Sequence, residues 1–240
     1  MLNTRFRYSL PVLGLALAFA ARSANGADIQ YTDATSWTAA VTGVTAIPFS
    51  GIAPAGGSVT YNTSSGLVVN GVTFLGYFSP TAFQLSVVDS QFSTPYWNFG
   101  SPNVQSPGYD RAQTATFLPY IHVVLPAATT AFSTTLSTVS PNALVYQVTL
   151  SDGSQFFVQT GNRPTPTFIG ITSSSAITYA DFMVMGTAYN GGTYGLMQNF
   201  QTATTANNTP EAATMLLIGA GLLFVRSLRK NPKLFKLVHA

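Results

Sequence analysis

From Asp28 to about Gln201 the chain alternates apolar and polar residues in short runs, separated by Gly, Pro, Ser, Thr and Asn. In "LVVNGVTFLGYF", Leu67 to Phe78, two such runs meet at Asn70-Gly71. Both residues tolerate positive φ, so the pair predicts a tight hairpin. "ALVYQVTLSDGSQFFVQT", Ala143 to Thr160, repeats the plan. Val145, Gln147 and Thr149 alternate with Tyr146, Val148 and Leu150, and Ser151-Asp152-Gly153 reverses the chain. "AITYADFMVM" and "LMQNFQTA" supply the closing strands. Gly191-Gly192, in "YNGGTYG", reads as another hairpin turn rather than a phosphate cradle, because no helix follows to present an N-terminal dipole. The helix expected within this region is "SWTAAV", Ser36 to Val41, with Ser36 as its N-cap.

Many short strands at regular spacing, little helix and no long repeat predict an all-β fold: an antiparallel β-sandwich with jelly-roll-like packing of two sheets. The 46% of hydrophobic residues suffice for a substantial core. Only 7% of residues are charged, so the surface is rich in hydroxyls and amides instead. No cysteine is present, which excludes disulfides, thiolate metal sites and a cysteine nucleophile.

Charge changes the picture through its placement. The formal net charge is +3, but the cations gather at the ends: Arg5, Arg7 and Arg22 in front, and Arg226, Arg229, Lys230, Lys233 and Lys236 behind. Between them Arg111 and Arg163 face Asp28, Asp33, Asp89, Asp110, Asp152 and Asp181. The middle is therefore acidic, and nucleic acid is excluded as a partner.

Both ends read as addresses. Arg5 and Arg7 precede an apolar run from Leu10 to Ala21 and then small residues, the layout of a secretory signal helix over residues 1–27, removed by signal peptidase. At the other end, the polar stretch 202–208 leads to Thr209, Pro210 and Glu211, then to an apolar run from Ala212 to Val225. Fourteen helical residues rise about 21 Å against a hydrocarbon core of about 30 Å, so a hydrophobic helix here spans only if Ser227 and Leu228 are buried and Arg226 snorkels. Arg226, Arg229 and Lys230 stop transfer and stay cytoplasmic, with residues 233–240 as a basic tail. The expected organisation is a signal peptide (1–27), a sandwich ectodomain (28–201), a linker (202–208), a sorting segment (209–232) and the tail.

"TPEAATMLLIGAGLLFVRSLRK", Thr209 to Lys230, resembles the PEP-CTERM sorting signal of Gram-negative bacteria. Pro210 and Glu211 match its motif, whereas Ala212 stands where a second proline is usual. The resemblance implies recognition by an exosortase, transit through the inner membrane, and delivery to a cell surface or extracellular matrix associated with exopolysaccharide and biofilm. "FSGIAPAGGSVTYN", "LVVNGVTF", "VTLSDGSQF", "FIGITSSSAITYADF" and "YGLMQNFQ" are similar to the ectodomains that often carry this signal. That similarity concerns fold, not activity.

Candidate chemistry is sparse. The middle region holds one histidine, no lysine and no glutamate before Glu211, which argues against an enzyme. His122, in "YIHVVLP", reads as a structural histidine of an alternating strand, and no G-x-S-x-G elbow accompanies it. A two-aspartate glycoside hydrolase is the remaining catalytic alternative, although Asp152 is explained by its turn. No cofactor is implied. A structural Ca²⁺ would draw on Asp28 and Asp33 meeting Gln198 and Asn199, if first and last strands adjoin; related ectodomains commonly carry Asp-Asn where Gln198-Asn199 stands. The aromatic-rich stretch Phe92 to Gln113 places Tyr96, Trp97, Phe99 and Tyr109 beside Asn98, Asn103 and Asp110. Tyr96, Trp97 and Tyr109 are candidates for stacking on extracellular polysaccharide, as in a lectin-like module; packing of Trp97 against a sheet edge competes with that role.

Overall fold

The computed structural model describes residues 28–92, 101–105, 118–162, 165–185 and 194–206. The chain divides into two units between Thr205 and Ala206, and every element described belongs to the first. The signal helix, Tyr96, Trp97, Tyr109, the Gly191-Gly192 turn and the whole sorting segment lie outside the described residues.

Two antiparallel sheets build the domain. The first holds β1 (Ile29–Tyr31), β2 (Val41–Ile47), β3 (Ser58–Tyr61), β7 (Leu85–Val88), β8 (Asn103–Gln105), β10 (Ala131–Thr138), β13 (Thr167–Thr172) and β15 (Gly195–Thr205). Its order is β1-β13-β10-β15-β8-β7-β3, with β2 pairing the far half of β15. The second holds β4 (Leu67–Val69), β5 (Val72–Ser79), β6 (Ala82–Phe83), β9 (Tyr120–Val124), β11 (Val145–Leu150), β12 (Gln155–Gln159) and β14 (Tyr179–Met185). Its order is β12-β11-β14-β9-β5-β4, with β6 alongside β5. The run β2-β15-β10-β13 in one sheet and β9-β14-β11-β12 in the other is the strand order of a jelly roll, in which the chain crosses repeatedly between layers. Strands β3 to β8 extend it on one side.

Turn chemistry fixes the hairpins. Asn70 (φ 50°) and Gly71 (φ 79°) join β4 to β5, as their tolerance of the left-handed region predicts. Between β11 and β12, Asp152 Oδ1 accepts from the Ser154 amide at 2.9 Å, and Gly153 has φ 90°.

Alternation decides which side chains go inward. Ile121 and Val123 of β9, Tyr146, Val148 and Leu150 of β11, and Ala180 and Phe182 of β14 are buried against Phe132, Leu136, Ile169, Ile171 and Phe200 of the opposite sheet. Aromatic edges lock the layers together: Phe74 meets Phe200 at 5.3 Å and 87°, and Phe132 meets Phe182 at 5.8 Å and 69°. Tyr146 is a buried polar exception. Its hydroxyl donates to Ser137 O (2.8 Å) and accepts from Leu196 N (2.7 Å), which satisfies it inside the core.

Helix α1 (Ala34–Ala39) begins two residues earlier than the sequence suggests. Asp33, not Ser36, is the N-cap, because its Oδ1 accepts from the Ser36 amide at 2.8 Å; Val41 already belongs to β2. The helix buries Trp37 on the outside of the first sheet, in a small second cluster with Val41, Ala131 and Ala203. Strand β15 also outruns its expected end at Gln201. Thr202, Thr204 and Thr205 pair with Thr45, Thr42 and Val41 of β2, so the polar stretch taken as linker starts as strand.

Candidate functional site

The outer face of the second sheet is accessible along its middle strands. On β9, β11 and β14 the residues of the parity opposite to the core are at least partly exposed: Tyr120, His122 and Val124, Val145, Gln147 and Thr149, and Tyr179, Asp181, Met183 and Met185. Register arranges them in rows across the strands. One row runs Phe157, Gln147, Met183, Tyr120, Tyr77 and Phe83 from β12 to β6. Beside it, two residues along each strand, runs Gln155, Thr149, Asp181, His122 and Leu75. The first row is mostly aromatic and thioether surface. The second is mostly hydrogen-bonding groups.

His122 and Asp181 stand directly opposite on β9 and β14, with Nδ1 and Oδ1 2.6 Å apart. A neutral imidazole that donates from Nδ1 keeps Nε2 as an acceptor. Rings flank the pair: Tyr179 at 5.1 Å and Tyr77 edge-on at 5.9 Å. Tyr77 in turn stacks on Tyr120 at 4.9 Å with 9° between planes, and Phe83 closes the end at 4.9 Å. The Tyr120 phenol is pushed up to about 12, first by burial and then by the negative charge of Asp181 and the neighbouring tyrosines, so it remains a hydrogen-bonding hydroxyl at any physiological pH. Gln147 Nε2 donates to Thr149 Oγ1 at 3.2 Å, linking the two rows.

Sequence reasoning placed His122 correctly on an alternating strand and missed its partner. The signal available was parity: Tyr120/His122 in "YIHVV" and Tyr179/Asp181/Met183 in "YADFMVM" each put polar and aromatic residues on one face. Nothing in one sequence says that residues 59 apart are in register.

The calcium arrangement is not formed. β1, which follows Asp28, pairs with β13, so β13 and β10 separate it from Gln198 and Asn199 on β15; β2 occupies the place beside the last strand. Asp33 is committed to capping α1, and Gln198 is buried. Asn199, with φ 54°, sits at a β-bulge and lines a cleft of about 340 Å³ with Pro48, Ser50, Ser101 and Gln201. Among the described residues no group of three His, Cys, Asp or Glu side chains could hold a metal. Asn103 leaves the aromatic loop as well. It opens β8 and is buried, because Val104 next to it packs between β7 and β15.

Asp28 instead lies near Asp152 in the turn between β11 and β12. The Asp152 carboxyl lies below the usual range, chiefly through the Ser154 amide, with Asp28 a lesser contributor.

No helix among the described residues is long and apolar enough to cross a membrane. The family model of the PEP-CTERM protein-sorting motif matches residues 208–230. Such a motif implies an exported protein sorted by an exosortase. No curated protein matches the chain. Similar solved structures include the K2 cleaved adhesin domain of Lys-gingipain, at 11% identity and TM-score 0.38, covering 68% of this chain and 100% of that one. A family 11 carbohydrate-binding module of the cellulase Lic26A-Cel5E of Clostridium thermocellum aligns at 12% identity and TM-score 0.29, over 69% of this chain and 96% of that one. A glycoside hydrolase family 43 arabinoxylan arabinofuranohydrolase from Bacillus subtilis, in complex with cellotetraose, aligns at 16% identity and TM-score 0.29, over 62% of this chain but 27% of that one. At these scores the likenesses assign no activity.

Proposed function

From the PEP-CTERM sorting motif that this chain carries at residues 208–230, we propose a non-catalytic exported protein of the Gram-negative cell surface or extracellular matrix, working within exopolysaccharide or a biofilm. The observation that carries the reading is the placement of that motif a few residues after the last strand, β15, ends at Thr205. A β domain followed at once by an apolar run and the cations Arg226, Arg229 and Lys230 is a cargo joined to its address. The apolar run holds the chain in the inner membrane during transit, the cations halt it, and Thr209, Pro210 and Glu211 present the cleavable stretch to the exosortase.

The non-catalytic part rests on the chemistry of the sheet face. His122 and Asp181 form a base and its orienting partner, but their cross-strand neighbours are Leu75 and Thr149, and the flanking rings are tyrosines. The one aliphatic hydroxyl among them, Thr149, stands opposite Asp181 rather than His122, and its Oγ1 accepts from Gln147 Nε2. Expression in one host with and without its exosortase tests the proposal: release from the cell in the first case and retention in the membrane fraction in the second support it, whereas equal release in both contradicts it.

A further inference from the structure

We propose that the outer face of the seven-stranded sheet binds a chain of uncharged sugars, its aromatic row packing on the C–H faces of the rings and its polar row, led by His122 and Asp181, hydrogen-bonding the hydroxyl edge. The inference rests on the reading of the protein as one that works within polysaccharide, and it gives that reading a site.

The match is between two kinds of amphipathic order. A pyranose has an apolar face and a hydroxyl rim, and a linked chain repeats both along its length. The sheet presents a mostly apolar row, Phe157, Gln147, Met183, Tyr120, Tyr77 and Phe83, and a mostly polar row, Gln155, Thr149, Asp181, His122 and Leu75, running side by side across the strands. Strands lie about 4.8 Å apart, so the apolar row extends about 24 Å from β12 to β6, a span of several sugar units. Rings and short side chains lose little conformational freedom on binding, which suits them to a polyol that offers many weak contacts. Phe157 is 57% exposed, a large ring left in solvent at one end of the row.

Electrostatics selects the class of polymer. Asp181 is the acid in these two rows, and the two arginines of the ectodomain, Arg111 and Arg163, lie outside the described residues. The surrounding ectodomain is acidic in composition. Such a surface repels uronate- or phosphate-bearing polymers, while Nε2 of His122 and the second carboxylate oxygen of Asp181 suit hydroxyl donors.

Titration calorimetry tests this on the full chain, solubilised from the membranes of a host without exosortase in a detergent that has no sugar headgroup. Hydroxyethylcellulose and galactomannan serve as neutral polymers and alginate as the uronate control. Binding to at least one neutral polymer and not to alginate is expected. Tyr77→Ala, Tyr120→Ala and His122→Ala should each weaken it about three- to tenfold. Phe157→Ala and Gln155→Ala alter exposed side chains and leave folding intact, and they should weaken binding in the same direction even if the tyrosine variants unfold. Failure to bind either neutral polymer, equal binding of alginate, or unchanged affinity in the Phe157 and Gln155 variants overturns the proposal. So does loss of binding in Trp97→Ala alone, which would move the site to the aromatic loop. A chain sorted correctly by exosortase yet blind to all polymers sinks this inference and spares the sorting reading.

Discussion

A Cβ atom placed on Gly170 would collide with Cδ1 and Cγ of Trp37: the indole packs against the backbone of β13 because residue 170 has no side chain. Trp37 Nε1 donates to Ile171 O at 3.4 Å, and the ring is fully buried although it sits outside the sandwich core. Gly170→Ala should therefore overpack the site at a cost of about 1–3 kcal/mol. Trp37→Ala should cost about 3–5 kcal/mol by removing the ring altogether. Urea unfolding followed by circular dichroism measures both; an unchanged midpoint for Gly170→Ala would mean that the helix can lift away without loss.

The β4–β5 hairpin carries a second expectation. Gly71 holds φ 79° in a turn whose first central residue, Asn70, is also left-handed. Gly71→Ala should destabilise the domain by roughly 1–2 kcal/mol, the penalty of a Cβ in that region, since Pro126 at 3.8 Å leaves room for the methyl group itself. A smaller loss than for Gly170→Ala is also consistent with strain alone. A stabilised variant is not.

Those two glycines mark what one sequence discloses. Asn70-Gly71 is legible because turn chemistry is local, as is Ser151-Asp152-Gly153, and alternation separates Tyr146, Val148 and Leu150 of β11 from Val145, Gln147 and Thr149. Gly170 is not, since its reason is a tryptophan 133 positions earlier in the chain, brought there by β1 pairing with β13. The His122–Asp181 pair was hidden for the same reason. Thr202 to Thr205 looked like a linker through lack of apolar alternation, yet β-branched threonine suits a strand whose neighbour is itself threonine-rich. β8 was lost in the aromatic stretch because three residues with one buried valine give no periodicity to read.

Alkaline pH should weaken the fold. The phenols of Tyr120 and Tyr146 are both pushed up from an ordinary value of 10.0 by burial, so the folded state favours their protonated form. Their contribution is complete below about pH 10 and is lost as pH rises, over 10 to about 12 for Tyr120. Thermal unfolding across this window should show a falling midpoint, and Tyr120→Phe should fall less than the parent. Identical curves would remove Tyr120 from the explanation.

Acid acts through Asp89. Its Oδ1 accepts from the Gly56 and Gln91 amides, both at 2.9 Å, and these bonds, that from Gly56 foremost, hold the carboxyl below its ordinary 3.8. The stabilisation is present above that value and is lost as pH falls through the lower folded one. Asp89→Asn should be less stable than the parent at neutral pH, with the difference shrinking below about pH 4. A difference that grows in acid would contradict the assignment.

Delivery by the exosortase should remove the C-terminal address. On the sorting proposal, cleavage is expected between Thr209 and Glu211, where Pro210 disfavours helix at the preceding residue. Neutral replacements of Arg226, Arg229 and Lys230 should let the tail slip through and raise the share of unprocessed, mislocalised protein. The most direct measurement is the intact mass of the protein released from its native host. A C-terminus between Thr209 and Glu211 is the predicted result; a released chain that still ends at Ala240 would contradict the account.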